Sequence, residues 1–157
     1  MKINTRLSLE QRDTVAERLH LLLADEYVLS TKTRKAHWNV TGPHFMSYHK
    51  LFEEQYEQLA ETVDAVAERS LMLGIKVPAT LAELSQLTRL NEEPGENPDA
   101  DGLISVLLTD HEAIVRQLRE DIESTAELGD DGTTDFFTGL LEQHEKTAWM
   151  LRSHLTE

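Results

Sequence analysis

Apolar positions recur at helical spacing along most of the chain, and no stretch asks for the two-residue alternation of a strand. Ser8-Leu9-Glu10-Gln11 has capping-box spacing, and no Pro or Gly follows before Gly42. That predicts a first helix of about thirty residues, ending near His37-Trp38-Asn39. Val40-Thr41-Gly42-Pro43 reads as a turn. Phe45, Phe52, Tyr56, Leu59, Val63 and Val66 then recur at spacings of mostly three and four, which predicts a second long amphipathic helix stopping before Gly74.

Pro78 precedes Thr80-Leu81-Ala82-Glu83, another capping box, which predicts a short helix within the connection that follows. Asn91 to Asp101, with Pro94, Gly95 and Pro98, reads as a loop. A third long helix is expected from Leu103 to Leu128, a break at Gly129-Asp130-Asp131-Gly132, and a fourth helix from there to the C-terminus. With no internal repeat, low-complexity tract or linker, residues 1–157 read as one all-α domain. Its expected form is a four-helix bundle with a short extra helix between helices two and three.

Composition narrows the chemistry. The chain has no cysteine, which rules out disulfides, thiol nucleophiles and Cys-ligated zinc or iron–sulfur clusters. A bound metal must therefore rest on His and carboxylates. Neither a signal core in MKINTRLSLEQRD nor an apolar run of ~20 residues is present, so a cytoplasmic protein without membrane contact is expected. The 29 acidic and 15 basic residues leave a formal charge of −14, which repels nucleic acid and attracts cations, or simply keeps the chain in solution.

A conventional di-iron bundle uses two Glu-x-x-His pairs from different helices. Only Glu17-Arg18-Leu19-His20 has that spacing, so no metal site is expected at the bundle centre. On the second helix, the apolar stripe takes in His49, while Glu53, Glu57, Asp64 and Glu68 share an adjacent face. Such a strip is either a solvated surface or a set of hard oxygen donors beside an imidazole, a combination suited to iron. Asp64 and Glu68, four residues apart, can reach one ion. His49 and Asp64 are roughly 22 Å apart along one helix at 1.5 Å per residue. If they act on one ion, an antiparallel copy of the helix must bring its carboxylates to this chain's His49, as a two-fold axis would.

Lys35-Ala36-His37-Trp38-Asn39-Val40-Thr41-Gly42, followed by Phe45, His49, Phe52, Tyr56, Asp64, Ala67, Glu68 and Arg69, resembles the signature of the Dps family, the DNA-binding proteins from starved cells. The resemblance extends to Gly129-Asp130-Asp131 and His144-Glu145-Lys146-Thr147-Ala148-Trp149. It implies a ferritin-like subunit of a hollow dodecamer, a ferroxidase that oxidises Fe(II), with hydrogen peroxide ahead of oxygen, and stores ferric oxide as protection against oxidative stress. The implied site takes His37 and His49 from one subunit and Asp64 and Glu68 from its two-fold neighbour, with Glu53 supporting a second iron and zinc able to substitute. Trp38 resembles the site tryptophan that takes up stray oxidising equivalents, with packing as its competing role, whereas Trp149 is expected in the core or at an interface.

Glu53, Glu54 and Glu57 resemble the interior carboxylates where mineral growth begins, and Glu127, Asp130, Asp131 and Asp135 resemble the lining of three-fold pores. Solvation and helix capping are the respective alternatives. Many family members bind DNA through a lysine-rich extension; Lys2, Arg6 and Arg12 are the basic residues near the start here, and the other end reads Thr156-Glu157. DNA compaction is accordingly not expected, although a nucleoid protein with secondary iron chemistry remains the rival. A purely structural helical assembly is the third reading.

Overall fold

The computed structural model describes residues 3–155; Lys2, Thr156 and Glu157 lie outside the described residues. Five helices follow in order: α1 (Leu9–Asn39), α2 (Phe45–Met72), α3 (Leu81–Leu87), α4 (Ala100–Glu127) and α5 (Asp131–Arg152). Among the described residues there is no strand. Both predicted capping boxes form: Ser8 and Gln11 exchange side-chain and backbone bonds at the start of α1, and Thr80 and Glu83 do so for α3. Each satisfies two amide groups that a helix start would leave unpaired.

Two boundaries differ from the sequence reading. α4 begins at Ala100, inside the expected loop, because Asp99 accepts from the Gly102 amide and starts the helix three residues before Leu103. α5 starts at Asp131 and runs through Gly132, with Asp130 as its cap, and it ends at Arg152 rather than continuing through the described C-terminal residues.

The four long helices form the bundle, with α1 packed chiefly on α2 and α4 on α5. Each contributes an apolar stripe at alternating spacings of three and four: Leu19 and Leu22 on α1, Phe52 and Leu59 on α2, Leu107 and Ile114 on α4, Phe137 and Leu141 on α5. Phe52 and Phe137 are wholly buried. Truncating either to Ala is expected to cost about 3–5 kcal/mol through lost transfer energy and the cavity left behind.

The crossover from α2 to α4 is fastened at its middle. Asp25, buried on α1, accepts from the Thr88 hydroxyl at 2.9 Å, the Arg89 amide at 2.7 Å and Arg89 Nε at 2.8 Å. These bonds hold the exit of α3 against the bundle. Among the described residues, no helix is long and apolar enough to cross a membrane.

Candidate functional site

α1 ends at Asn39 and α2 starts at Phe45, with Gly42 at φ +111° in the connection, a conformation that favours glycine. This tight reversal brings His37, in the last turn of α1, onto His49, in the second turn of α2. His37 Nδ1 donates to the His49 carbonyl at 2.7 Å, and His49 Nδ1 donates to the His37 carbonyl at 2.8 Å. A carbonyl oxygen only accepts, so both Nδ1 atoms must carry hydrogen. In the neutral rings, both Nε2 atoms then bear the free lone pair, as metal ligation requires.

The rings are stacked with centroids 3.7 Å apart. Phe45 lies against His49 at 4.9 Å, and the edge of Tyr56 meets His37 at 5.3 Å. Arg34 sits 4.6 Å over the other part of this wall, on the Tyr56 ring, a cation–π contact that holds the ring in place.

Asp64 and Glu68 are exposed one turn apart on α2, away from this histidine pair, and Glu53 is half-buried on the same helix. Among the described residues, no three or more His, Asp or Glu side chains are arranged to hold a metal ion. One chain thus brings two of the expected ligands together and leaves the carboxylates apart from them. Trp38 is 70% exposed and Trp149 62% exposed, so neither packs in the core of this chain, and the core alternative for Trp149 is corrected.

The acidic set near the α4–α5 turn divides. Asp130 is buried, accepting from the Thr133 amide at 3.1 Å and its hydroxyl at 2.6 Å, and pairing with Arg69 at 3.0 Å. It is a helix cap and ion-pair partner rather than a pore-facing carboxylate. Glu127, Asp131 and Asp135 are exposed, as are Glu54 and Glu57.

Sequence reasoning passed over a second polar cluster at the bundle centre. Glu26, Gln55, His111 and His144 are all buried, and each comes from a different long helix. His144 Nε2 lies 2.7 Å from Glu26 Oε1, and its Nδ1 lies 2.8 Å from His111 Nδ1. The signal was present: Leu22-Glu26-Leu29, Phe52-Gln55-Leu59, Leu107-His111-Ile114 and Leu141-His144-Ala148 each place a polar residue in a core register. Glu17 and His20, the pair with di-iron spacing, do not form a site; Glu17 is exposed and His20 Nε2 is 3.0 Å from the Ser70 hydroxyl.

Comparison with known proteins places the chain. A ferritin-like domain model matches residues 16–157. An uncharacterised low temperature-induced protein of Nostoc sp. is 46% identical over 155 residues, covering 98% of this chain and 87% of that one. DNA protection during starvation protein 2 of Bacillus anthracis is 35% identical over 143 residues, covering 91% and 97%. The crystal structure of the Vibrio cholerae DPS protein, described as a member of a broad superfamily of ferritin-like diiron-carboxylate proteins, superposes with a TM-score of 0.92 at 29% identity, covering 99% and 98%. The ferritin-like match over most of the chain and the starvation-protection relative together show that the chain belongs to the Dps family of ferritin-like proteins, a family of iron storage and DNA protection.

Proposed function

We propose that this protein is a ferroxidase and iron store: it oxidises Fe(II), with hydrogen peroxide ahead of oxygen, and keeps the ferric oxide inside a hollow twelve-subunit shell. Its site is shared, with His37 and His49 from one subunit and Asp64 and Glu68 from the two-fold neighbour. Glu53 supports a second iron. Trp38 serves beside the site as a sink for stray oxidising equivalents, and zinc can compete for the same donors.

One coincidence of register on α2 supports the shared site. At ~100° per residue, Met46, His49, Glu53, Asp64, Glu68 and Leu71 fall within an arc of about 100°. Phe45, Met46, Leu71 and Met72 are exposed in the single chain, near the two ends of the helix. An antiparallel pair of α2 helices that sets His49 opposite the partner's Glu68 also sets Met46 opposite the partner's Leu71 and Phe45 opposite the partner's Met72. In the same register Glu53 falls opposite the partner's Asp64. The alignment that completes the ligand set therefore also covers exposed apolar side chains, as an isologous interface requires.

Imidazole and carboxylate donors hold Fe(II) while leaving positions open for peroxide. Two Fe(II) ions give one electron each to one peroxide, which is reduced to the level of water while its O–O bond breaks. Hydrolysis of the two Fe(III) ions releases protons and deposits oxide. Paired delivery of electrons leaves no hydroxyl radical to attack nucleic acid, so protection needs no DNA contact. The net charge of −14 favours this route over a DNA-compacting role.

The test combines a His37→Ala/His49→Ala chain with an Asp64→Ala/Glu68→Ala chain. Each alone lacks half of every site and is expected to oxidise iron slowly. In a co-refolded mixture about half of the two-fold pairs are mixed and each mixed pair holds one complete site, so roughly a quarter of sites should recover. Mixed shells with no gain in fast oxidation would remove the shared site. Stopped-flow traces on the wild type with oxygen faster than peroxide would remove the peroxide preference.

A further inference from the structure

The bundle centre holds a chain of buried polar groups that the iron reading does not use. Glu26 on α1, His144 on α5 and His111 on α4 are joined by contacts of 2.7 and 2.8 Å, and none is more than 3% exposed. Replacing such a cluster with apolar side chains of similar volume generally leaves a core as stable or more so. Packing alone therefore does not account for it.

Hydrogen counting shows what the cluster holds. Two ring nitrogens 2.8 Å apart need one hydrogen between them: with none, two lone pairs face each other, and with two, the N–H groups collide. His144 Nε2 donates to Glu26 in turn. Beyond this chain, His111 Nε2, Glu26 Oε2 and both amide atoms of Gln55 have no hydrogen-bond partner among the described residues. Gln55 and His111, with Thr62 and His144, line a cavity of about 10 Å³. That volume admits one water, which would bridge His111 Nε2 to Gln55. Metal binding is not favoured, since the facing nitrogen and oxygen atoms are engaged with one another and no ligand group for a metal is formed here.

We infer that the bundle centre is a proton-binding site: Glu26, His144 and His111 hold one hydrogen between the two imidazoles, and uptake of a second from solvent, onto the free lone pair of His111 Nε2, places a positive charge in the bundle core and loosens α4 from α5. The groups facing His111 are His144 on α5, Glu26 beyond it on α1, and the uncharged Gln55 on α2. Burial, and then the neighbouring His144, push the His111 imidazole well below its ordinary range. The folded chain thus refuses a proton that the unfolded chain accepts near pH 6.5, so stability is complete above that pH and falls as pH drops below it.

The assembled protein can be unfolded in urea at pH 7.5 and 5.5, at one concentration, as wild type and as His111→Asn. Asn retains an amide near the Nδ1 position and cannot take up a proton. The wild-type folding equilibrium constant is expected to fall about tenfold more than the variant's between the two pH values. Equal falls would overturn the proposal. Hydrogen exchange on the wild type, corrected for intrinsic rates, decides the matter if the variant does not fold. Residues 107–115 and 140–148 should lose protection at pH 5.5, and unchanged protection there would overturn it.

Discussion

His37 and His49 each donate from Nδ1 to the other's backbone carbonyl, a reciprocal pair that welds the end of α1 to the start of α2. The same bonds set both rings in one tautomer, so structure and proposed ligation draw on different nitrogens of each imidazole. His49→Asn separates the two roles, because an Asn amide can replace the Nδ1 donor and has no counterpart to Nε2. Urea denaturation is expected to place the variant within about 1 kcal/mol of wild type. Fast Fe(II) oxidation should drop at least about tenfold, since losing even a group that only orients a metal ligand costs that much. Full activity would show that His49 does not bind iron.

Asp130→Ala is expected to destabilise the fold by about 2–4 kcal/mol. The change removes the α5 cap and leaves Arg69, itself only 22% exposed at the side chain, without its carboxylate. Asp131→Ala, one residue on but exposed, should change stability by under about 0.5 kcal/mol. Similar losses for both would contradict the assignment of Asp130 as a buried partner.

Burial pushes Asp121 above the ordinary carboxylate range, an effect only partly offset by Arg89, Gln117 and Arg18. Between the unfolded value and this raised one, the folded chain holds a proton that the unfolded chain has lost, so stability falls as pH rises through that window. Above the window the penalty is complete. Asp121→Asn removes it, and the urea midpoint of the variant relative to wild type should be higher at pH 7 than at pH 4. A relative midpoint that falls from pH 4 to pH 7 would show that the ion pair with Arg18, at 3.1 Å, outweighs the cost of burial.

Little retention of duplex DNA is expected in a mobility-shift assay at about 150 mM salt, since a chain of net charge −14 offers phosphate few contacts and repels it at range. Retardation that survives at that salt would revive the nucleoid reading.

The order of helices was legible because start signals and apolar spacing agree: Ser8 with Gln11, Thr80 with Glu83, and the runs through Phe52 and Leu59 all point to the same elements. The early start of α4 was hidden because Pro94, Gly95 and Pro98 read as a loop running to Asp101, whereas Asp99 turns the end of that segment into a capped helix start. His37 and His49 were legible as a pair through resemblance, but their carbonyl bonds depend on the exact path of the chain between two helices. The central cluster was missed for a different reason. A polar residue in one apolar stripe is unremarkable on its own, and only the packing of three stripes, those of α1, α4 and α5, brings Glu26, His111 and His144 into contact.

The fastening of residues 88 and 89 to Asp25 divides the span between α2 and α4 into two shorter tethers. The entropy of closing a loop grows only with the logarithm of its length, by ~0.6 kcal/mol per doubling, so the division itself changes stability little. Its larger effect is on motion. Without the fastening, the connection would be held chiefly by buried side chains such as Leu84 and Leu90; with it, each half can fluctuate only as far as its own pinned ends permit. Opening the complete span then requires breaking several bonds at one buried carboxylate at the same moment, which makes that excursion rare even where the individual segments are exposed.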